Sequence, residues 1–228
     1  MSVRQSLTYA CRSLARAPLF ATAVILTLTI GIGAAAAIFT VVNAVLLRPL
    51  PYRQPDRLIG VWFDMPPISL KHVQQAAGTY RTFQQLARSI EGIAAYQDGS
   101  LNAADPDGHA EPARVSVAWL TASAIPTLGV QPTLGRSFSE AEDVPKAPPV
   151  AVISERLWRA RFGSDRSILG KKLVLGGKLT EIVGVMPDRF RFPNASTEIW
   201  LPLQLDPNDP YQGGFNYNTI ARLKPGVT

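Results

Sequence analysis

"APLFATAVILTLTIGIGAAAAIFTVVNAVLL", residues Ala17 to Leu47, decides what kind of protein this chain is. Following the apolar run Ala23 to Leu28, the spacing Gly31-x-Gly33-x-x-Ala36 imitates the strand-to-helix turn that cradles a dinucleotide. Such a turn needs a short strand before it and an amphipathic helix after it, yet no charged residue occurs between Arg16 and Arg48. The acid expected about 20 positions later is missing too, because the first one, Asp56, lies beyond Pro49-Leu50-Pro51. As a helix, roughly 30 residues rising about 1.5 Å each span about 45 Å, more than the roughly 30 Å of a hydrocarbon core. The stretch therefore reads as a spanning helix over 18–47. A cleaved signal peptide has an apolar region of about 7 to 15 residues and a small-x-small site. This run is much longer and ends in Val45-Leu46-Leu47-Arg48, so an uncleaved anchor is expected.

The flanks give an orientation. Of the formal net charge of +6, Arg4, Arg12 and Arg16 supply three before the apolar run, leaving the rest of the chain nearly balanced. Arginines ahead of a first span place the amino terminus in the cytoplasm, although Arg48, Arg53 and Arg57 follow on the other side. Val3, Leu7, Ala10 and Leu14 add one apolar stripe, with the arginines mostly off it. Residues 1–17 thus read as an amphipathic helix on the headgroups before Pro18 opens the span; a soluble amphipathic turn is the alternative. Arg4, Arg12, Arg16, Arg48 and Tyr52 are the membrane-interface candidates. Gly31 with Ala35 and Gly33 with Ala37 place small residues four apart, either a face for close helix packing or neutral filler. Cys11 is the only cysteine and precedes the run, which excludes an intrachain disulfide and a lipoprotein cysteine.

After Arg57 the texture changes to short strand-like runs separated by Gly, Pro, Asn and Asp. "RLIGVWF" (57–63) reads as a strand, and "TYRTFQQLARSI" (79–90) as a helix with Phe83, Leu86 and Ile90 on one side. "ARVSVAWL" (113–120) alternates, while "PVAVIS" (149–154) is the continuous apolar run of a buried strand. It leads into "ERLWRARFG", with Ser154 as N-cap and Gly163 as stop. "KKLVLGGKLTEIVGVMP" (171–187) has two arms around Gly176-Gly177, the pattern of a hairpin. The expected class is α+β: one amino-terminal transmembrane helix, then a mixed α/β domain.

No constellation for catalysis is visible. His72 and His109 stand without cysteines or an H-E-x-x-H pattern and read as surface histidines. Neither a G-x-S-x-G elbow nor a G-x-x-x-x-G-K-[ST] phosphate loop occurs. "SEAED" (139–143) reads as a solvated loop and "DPDGH" (105–109) as a turn, lacking the ligands of a calcium loop. Basic residues are interspersed with acids and form no stripe for nucleic acid. Catalytic, cofactor and metal sites are accordingly expected to be absent.

The order of the blocks is more specific than any one of them. "RSLARAPLFATAVILTLTIGIGAAAAIFTVVNAVLLRPLPYRQPDRLIGVW" (12–62) resembles the opening of MacB-type ABC transporter permeases, particularly their acidobacterial-type branch. "LGVQPTLGRSFSEAED" (128–143), "PPVAVISERLWRARFGSD" (148–165), "ILGKKLVLGGKLTEIVGVMP" (168–187), "FRFP" and "EIWLPL" resemble that family's periplasmic core domain in the same order.

The resemblance implies a permease in a bacterial plasma membrane, with the 48–228 domain periplasmic or otherwise extracytoplasmic. It implies an ABC-type ATPase partner, contact with membrane lipid, and a homodimer or pairing with a second permease half. ATP hydrolysis by the partner would drive movement of the outer domain for export or efflux, a mechanical relay. Family members continue past a point equivalent to "IARLKPGVT" (220–228), so a domain truncated at its carboxyl end, with an unpaired strand edge, is expected. A membrane-anchored module that senses or binds envelope material without transport is the alternative, and an anchored envelope hydrolase a third.

Overall fold

The computed structural model describes residues 17–43, 51–107, 111–206 and 214–227. The chain divides into two units, Met1–Leu50 and Pro51–Thr228.

The first unit contains α1 (Pro18–Val42), none of whose residues is buried within the chain. Pro18 stands in its first turn, where the missing N–H costs nothing. Its 25 residues span about 37 Å, enough for a hydrocarbon core of about 30 Å. Thr27, Thr29 and Thr40 would each carry an unsatisfied hydroxyl into lipid. They donate instead to the carbonyls of Ala23, Ile25 and Ala36 at 2.8, 2.7 and 2.7 Å, so these three hydroxyls are satisfied inside the helix. Ala44–Leu47, the rest of the expected span, lie outside the described residues. So do Arg48, His109 and the expected interfacial helix with Arg4, Arg12 and Arg16.

The second unit is α+β. In chain order its elements are β1 (Leu58–Gly60), β2 (Phe63–Met65), β3 (Leu70–Val73), α2 (Ala77–Leu86), β4 (Ile90–Ala104), β5 (Ala113–Leu120) and α3 (Ala124–Leu128). They continue with β6 (Leu134–Gly135), β7 (Val150–Ser154), α4 (Glu155–Phe162), β8 (Lys172–Leu175), β9 (Lys178–Met186), β10 (Ile199–Pro202) and β11 (Asn218–Leu223). Among the described residues, nine strands share one sheet and β2 with β3 form a separate antiparallel pair.

Several elements follow directly from local chemistry. All of β7 is buried, as its unbroken apolar sequence requires, because β9 runs parallel on one side and β10 antiparallel on the other. Ser154 ends the strand and caps α4, its Oγ accepting from the Leu157 amide at 3.1 Å. Between β8 and β9, Gly176 and Gly177 have φ of 55° and 82°, the paired left-handed conformation that a two-residue hairpin turn demands.

The sheet closes on itself. β4 pairs with β5, β5 with β10, β10 with β7, β7 with β9, β9 with β8, and β8 returns to the end of β4 at Ala103 and Ala104. Alternation then sorts side chains onto two faces of this six-strand ring. Val115, Val117, Ala151, Ile153, Ile182 and Ile199 join α4 in one core. Ala118, Leu120, Val150, Val152, Met186 and Trp200 join α3 in another, where the Trp200 indole N–H donates to the Phe192 carbonyl at 2.6 Å. A third core lies under α2, formed by Tyr80, Ile93, Ala95, Tyr217 and Ala221. The linear strand order ends at β1 and β6, three and two residues long, short edges that offer little template for strand addition.

Two expectations are corrected. The helix expected over 79–90 runs Ala77–Leu86; Leu86 is exposed, and Ile90 opens β4. The strand expected over 57–63 is two strands, β1 on the main sheet and β2 in the separate pair, with Val61 and Trp62 between them.

Candidate functional site

The segment that follows the apolar helix is stitched to the folded unit at several points. Tyr52 sets its ring edge-on against Phe190, centroids 6.3 Å apart, at the margin of the α3 core. Burial pushes its phenol up to about 12. The Arg53 amide donates to the Leu128 carbonyl at 3.3 Å, and its side chain lies against Gly129, where an added Cβ would come within 2.6 Å of the Arg53 Cβ. Gln54 then turns through a left-handed conformation, φ 44°, and this exposes its carbonyl to the interior.

Two arginines receive that turn. Arg57 donates through Nε to the Leu223 carbonyl at 2.8 Å, and its guanidinium also reaches Glu91 and the Gln54 side chain. Arg222, next to the end of β11, is 2% exposed. Its Nε donates to the Thr127 carbonyl at 2.8 Å and its Nη1 to the Gln54 carbonyl at 3.2 Å, while its Nη2 is buried without a partner. Burial lowers the Arg222 pKa, Glu91 opposes this, and neighbouring Arg57 and Arg53 reinforce it. β1 completes the attachment by pairing Leu58, Ile59 and Gly60 with Arg222, Ala221 and Ile220. The segment after Pro51 is thus joined to β11, and β11 in turn pairs with β4.

A second cluster corrects the reading of "SEAED" as a solvated loop. Glu142 accepts two hydrogen bonds from Arg136, at 2.8 and 2.7 Å, and two from the Ser139 amide and hydroxyl, at 2.7 and 2.9 Å. The Arg136 bond above all, with those from Ser139, holds its carboxyl down to about 2 against the opposing effect of burial. Asp143 is half-buried and accepts from the Ala122 and Gln204 amides, both at 2.7 Å. Burial raises its pKa, and those amides and Arg81 pull it back. The Gln204 side chain donates in turn to the carbonyls of Glu142 and Ala147 at 3.0 and 3.4 Å, so 142–147 is pinned from both ends. Of the three carboxylates in this run, Glu142 and Asp143 are engaged, whereas Glu140 is exposed.

Of the residues singled out in the sequence, Tyr52 falls within the stitched segment. Gly31 and Gly33 have open space around the position of a Cβ, and Ala35 and Ala37 are exposed on the same helix. His72 is exposed in β3 with its ring 5.3 Å from that of Trp62. Among the described residues no three His, Cys, Asp or Glu side chains gather into a metal-binding group.

Known proteins give this architecture a context. The structure is similar to the extracellular domain of the noncanonical ABC-type transporter YknZ from Gram-positive bacteria, with TM-score 0.55 and 16% identity over 74% of this chain and 84% of that one. It is similar to the periplasmic region of MacB from Actinobacillus actinomycetemcomitans, with TM-score 0.55 and 16% identity over 75% of each chain. A domain of a putative permease protein from Porphyromonas gingivalis matches with TM-score 0.59 and 20% identity over 78% and 79%. No curated protein matches the sequence. Identities this low speak to fold alone, but the sequence model of the MacB-like periplasmic core domain matches residues 21–228, so the chain belongs to the MacB-like periplasmic core domain family.

Proposed function

We propose that this chain is a permease component of a MacB-type ABC transporter, anchored in a bacterial plasma membrane by α1 with its amino terminus cytoplasmic and its folded unit outside. An ABC-type ATPase partner hydrolyses ATP inside the cell, and the permease transmits the resulting movement to the outer domain for export or efflux. The observation that carries this reading is the attachment of Pro51–Arg57 through Arg57 and Arg222. A loose linker would dissipate displacement of the helix end, whereas a segment tied to β11 passes it to the sheet. Arg4, Arg12, Arg16, Arg48 and Tyr52 border the lipid in this account, and Gly31, Gly33, Ala35 and Ala37 form the face on which a second copy or permease half packs.

The test is biochemical. Chain purified from its native membrane should bring an ATPase with it, and replacing Gly31 and Gly33 by leucine should weaken assembly of the complete complex. Persistent absence of an ATPase would favour the anchored sensing module instead.

A further inference from the structure

The mouth of the six-strand ring holds a cavity of about 370 Å³. Every strand of the ring contributes to its wall: Leu101 from β4, Trp119 from β5, Leu201 from β10, Val150 from β7, Thr180 from β9 and Leu175 from β8. Mouths of small barrels are common ligand sites, and this volume lies within the range of small-molecule pockets. The wall is mainly apolar, yet two lysines stand on it, Lys146 and Lys178, and no carboxylate does. Neither lysine takes part in an ion pair among the described residues.

The loop that presents Lys146 is held in a costly conformation. Lys146 and Gln204 both line the cavity and both adopt left-handed backbone, with φ of 67° and 51°, although neither is glycine. Strain of this kind persists where surrounding contacts over-determine it, and it concentrates at ligand clamps. Here the contacts are those of Glu142 with Arg136, Asp143 with the Ala122 and Gln204 amides, and the Gln204 side chain with the Glu142 and Ala147 carbonyls. They fix the backbone beneath Lys146 at the rim of an apolar hollow.

We propose that this cavity binds a small anionic amphiphile, with its apolar body against Trp119 and Leu101 and its anionic group between Lys146 and Lys178. Two unopposed ammonium groups favour a negative head over a neutral or cationic one, and the apolar wall selects against a simple inorganic anion. The site involves neither α1 nor the stitched segment, so it stands whether or not the transport reading does.

The test uses the full chain in phosphatidylcholine nanodiscs, with 5-fluorotryptophan at its 4 tryptophans. The Trp119 fluorine signal is assigned with Trp119→Phe, and the probes are 4-phenylbutyrate and its cationic counterpart 4-phenylbutylammonium. The expected result is a saturable shift of the Trp119 signal alone with phenylbutyrate, about tenfold weaker with the ammonium compound. The double variant Lys146→Asn, Lys178→Gln should weaken the phenylbutyrate response about tenfold while leaving the ligand-free spectrum unchanged, which separates lost binding from lost fold. No saturable shift up to about 10 mM would overturn the proposal, as would equal response to both probes or indifference to the double variant. Repeating the titration in phosphatidylglycerol discs distinguishes the source of the anion. If those discs move the Trp119 signal without added probe and block phenylbutyrate, the ligand is a lipid headgroup and the free amphiphile is refuted.

Discussion

The Arg222 guanidinium donates to the main-chain carbonyl of Gln54 at 3.2 Å, across a sequence separation of 168 residues, while its Nε holds the Thr127 carbonyl. One buried cation thus joins the segment after the helix, the end of α3 and the last strand. Arg222→Met keeps much of the side-chain volume but removes the donors from two carbonyls. It should cost about 2–4 kcal/mol in urea unfolding followed by tryptophan fluorescence. Amide exchange should accelerate at Leu58–Gly60, whose strand pairs with Arg222. A neutral result would mean that the attachment contributes nothing to holding the segment.

Glu142 sets a pH dependence whose sign follows from its partner. Its folded pKa of about 2 lies below the ordinary carboxylate value, so its contribution is complete above about 4.5 and disappears as pH falls toward 2. Arg136 is more than half exposed, and solvent screening leaves that contribution at about 1 kcal/mol. Asp143 acts in the opposite sense: its raised pKa makes folding easier once it is protonated and adds nothing favourable above its folded pKa. Glu142→Gln should lower stability at neutral pH and flatten the acid limb of stability against pH, an outcome readable from urea midpoints at pH 7 and pH 3.

Tyr52 should mark the alkaline side. Its phenol is pushed up to about 12, so the neutral form is favoured in the folded chain. That stability is present below the ordinary value of about 10 and is lost as pH rises from there toward 12. Tyr52→Phe keeps the edge-on contact with Phe190 and should remove this part of the alkaline loss. An unchanged alkaline limb would show that the phenol is solvated.

Gly184 is a packing requirement. A Cβ there would come within 2.1 Å of the Arg136 carbonyl, where β6 pairs antiparallel with the bulged part of β9. Gly184→Ala should therefore cost about 2–4 kcal/mol and loosen the Arg136 pairing with Glu142, because β6 must move away. Thermal unfolding of the variant, with and without Glu142→Gln, should show the two losses to be less than additive.

Parts of this molecule are written locally and parts are not. Ser154 before "ERLW" and the paired glycines of "LGGK" each have a cause within a few residues, and the structure carries both; "ARVSVAWL" is the strand its pattern predicts, though Val117 and Ala118 are both buried because each face of the sheet is covered. β4 is different: "IEGIAAYQDGSLNAA" mixes glycine, aspartate and asparagine, and it extends for 15 residues because β11 pairs with its first half, Ile90 to Tyr96, and β5 with its second, Tyr96 to Ala103. Helical spacing in 79–90 runs on to Ile90, but Ile90 pairs with Leu223 of β11 and opens β4. The burial of Arg222 has no local cause: it depends on carbonyls contributed by Gln54 and Thr127, far away in the sequence. The acidic run 139–143 was legible as charge but not as structure, since the groups that use Asp143 lie at Ala122 and Gln204.

The most direct measurement concerns which side of the membrane each end of α1 faces. Cys11 is the only cysteine and precedes the helix, whereas Asp107 lies in an exposed turn of the folded unit. In intact spheroplasts a membrane-impermeant maleimide should leave Cys11 unlabelled until the membrane is permeabilised. It should label the Asp107→Cys variant, carrying Cys11→Ser, at once. Labelling of Cys11 without permeabilisation, or protection of the Asp107→Cys variant, would contradict an anchored permease whose folded unit stands outside the cell's interior.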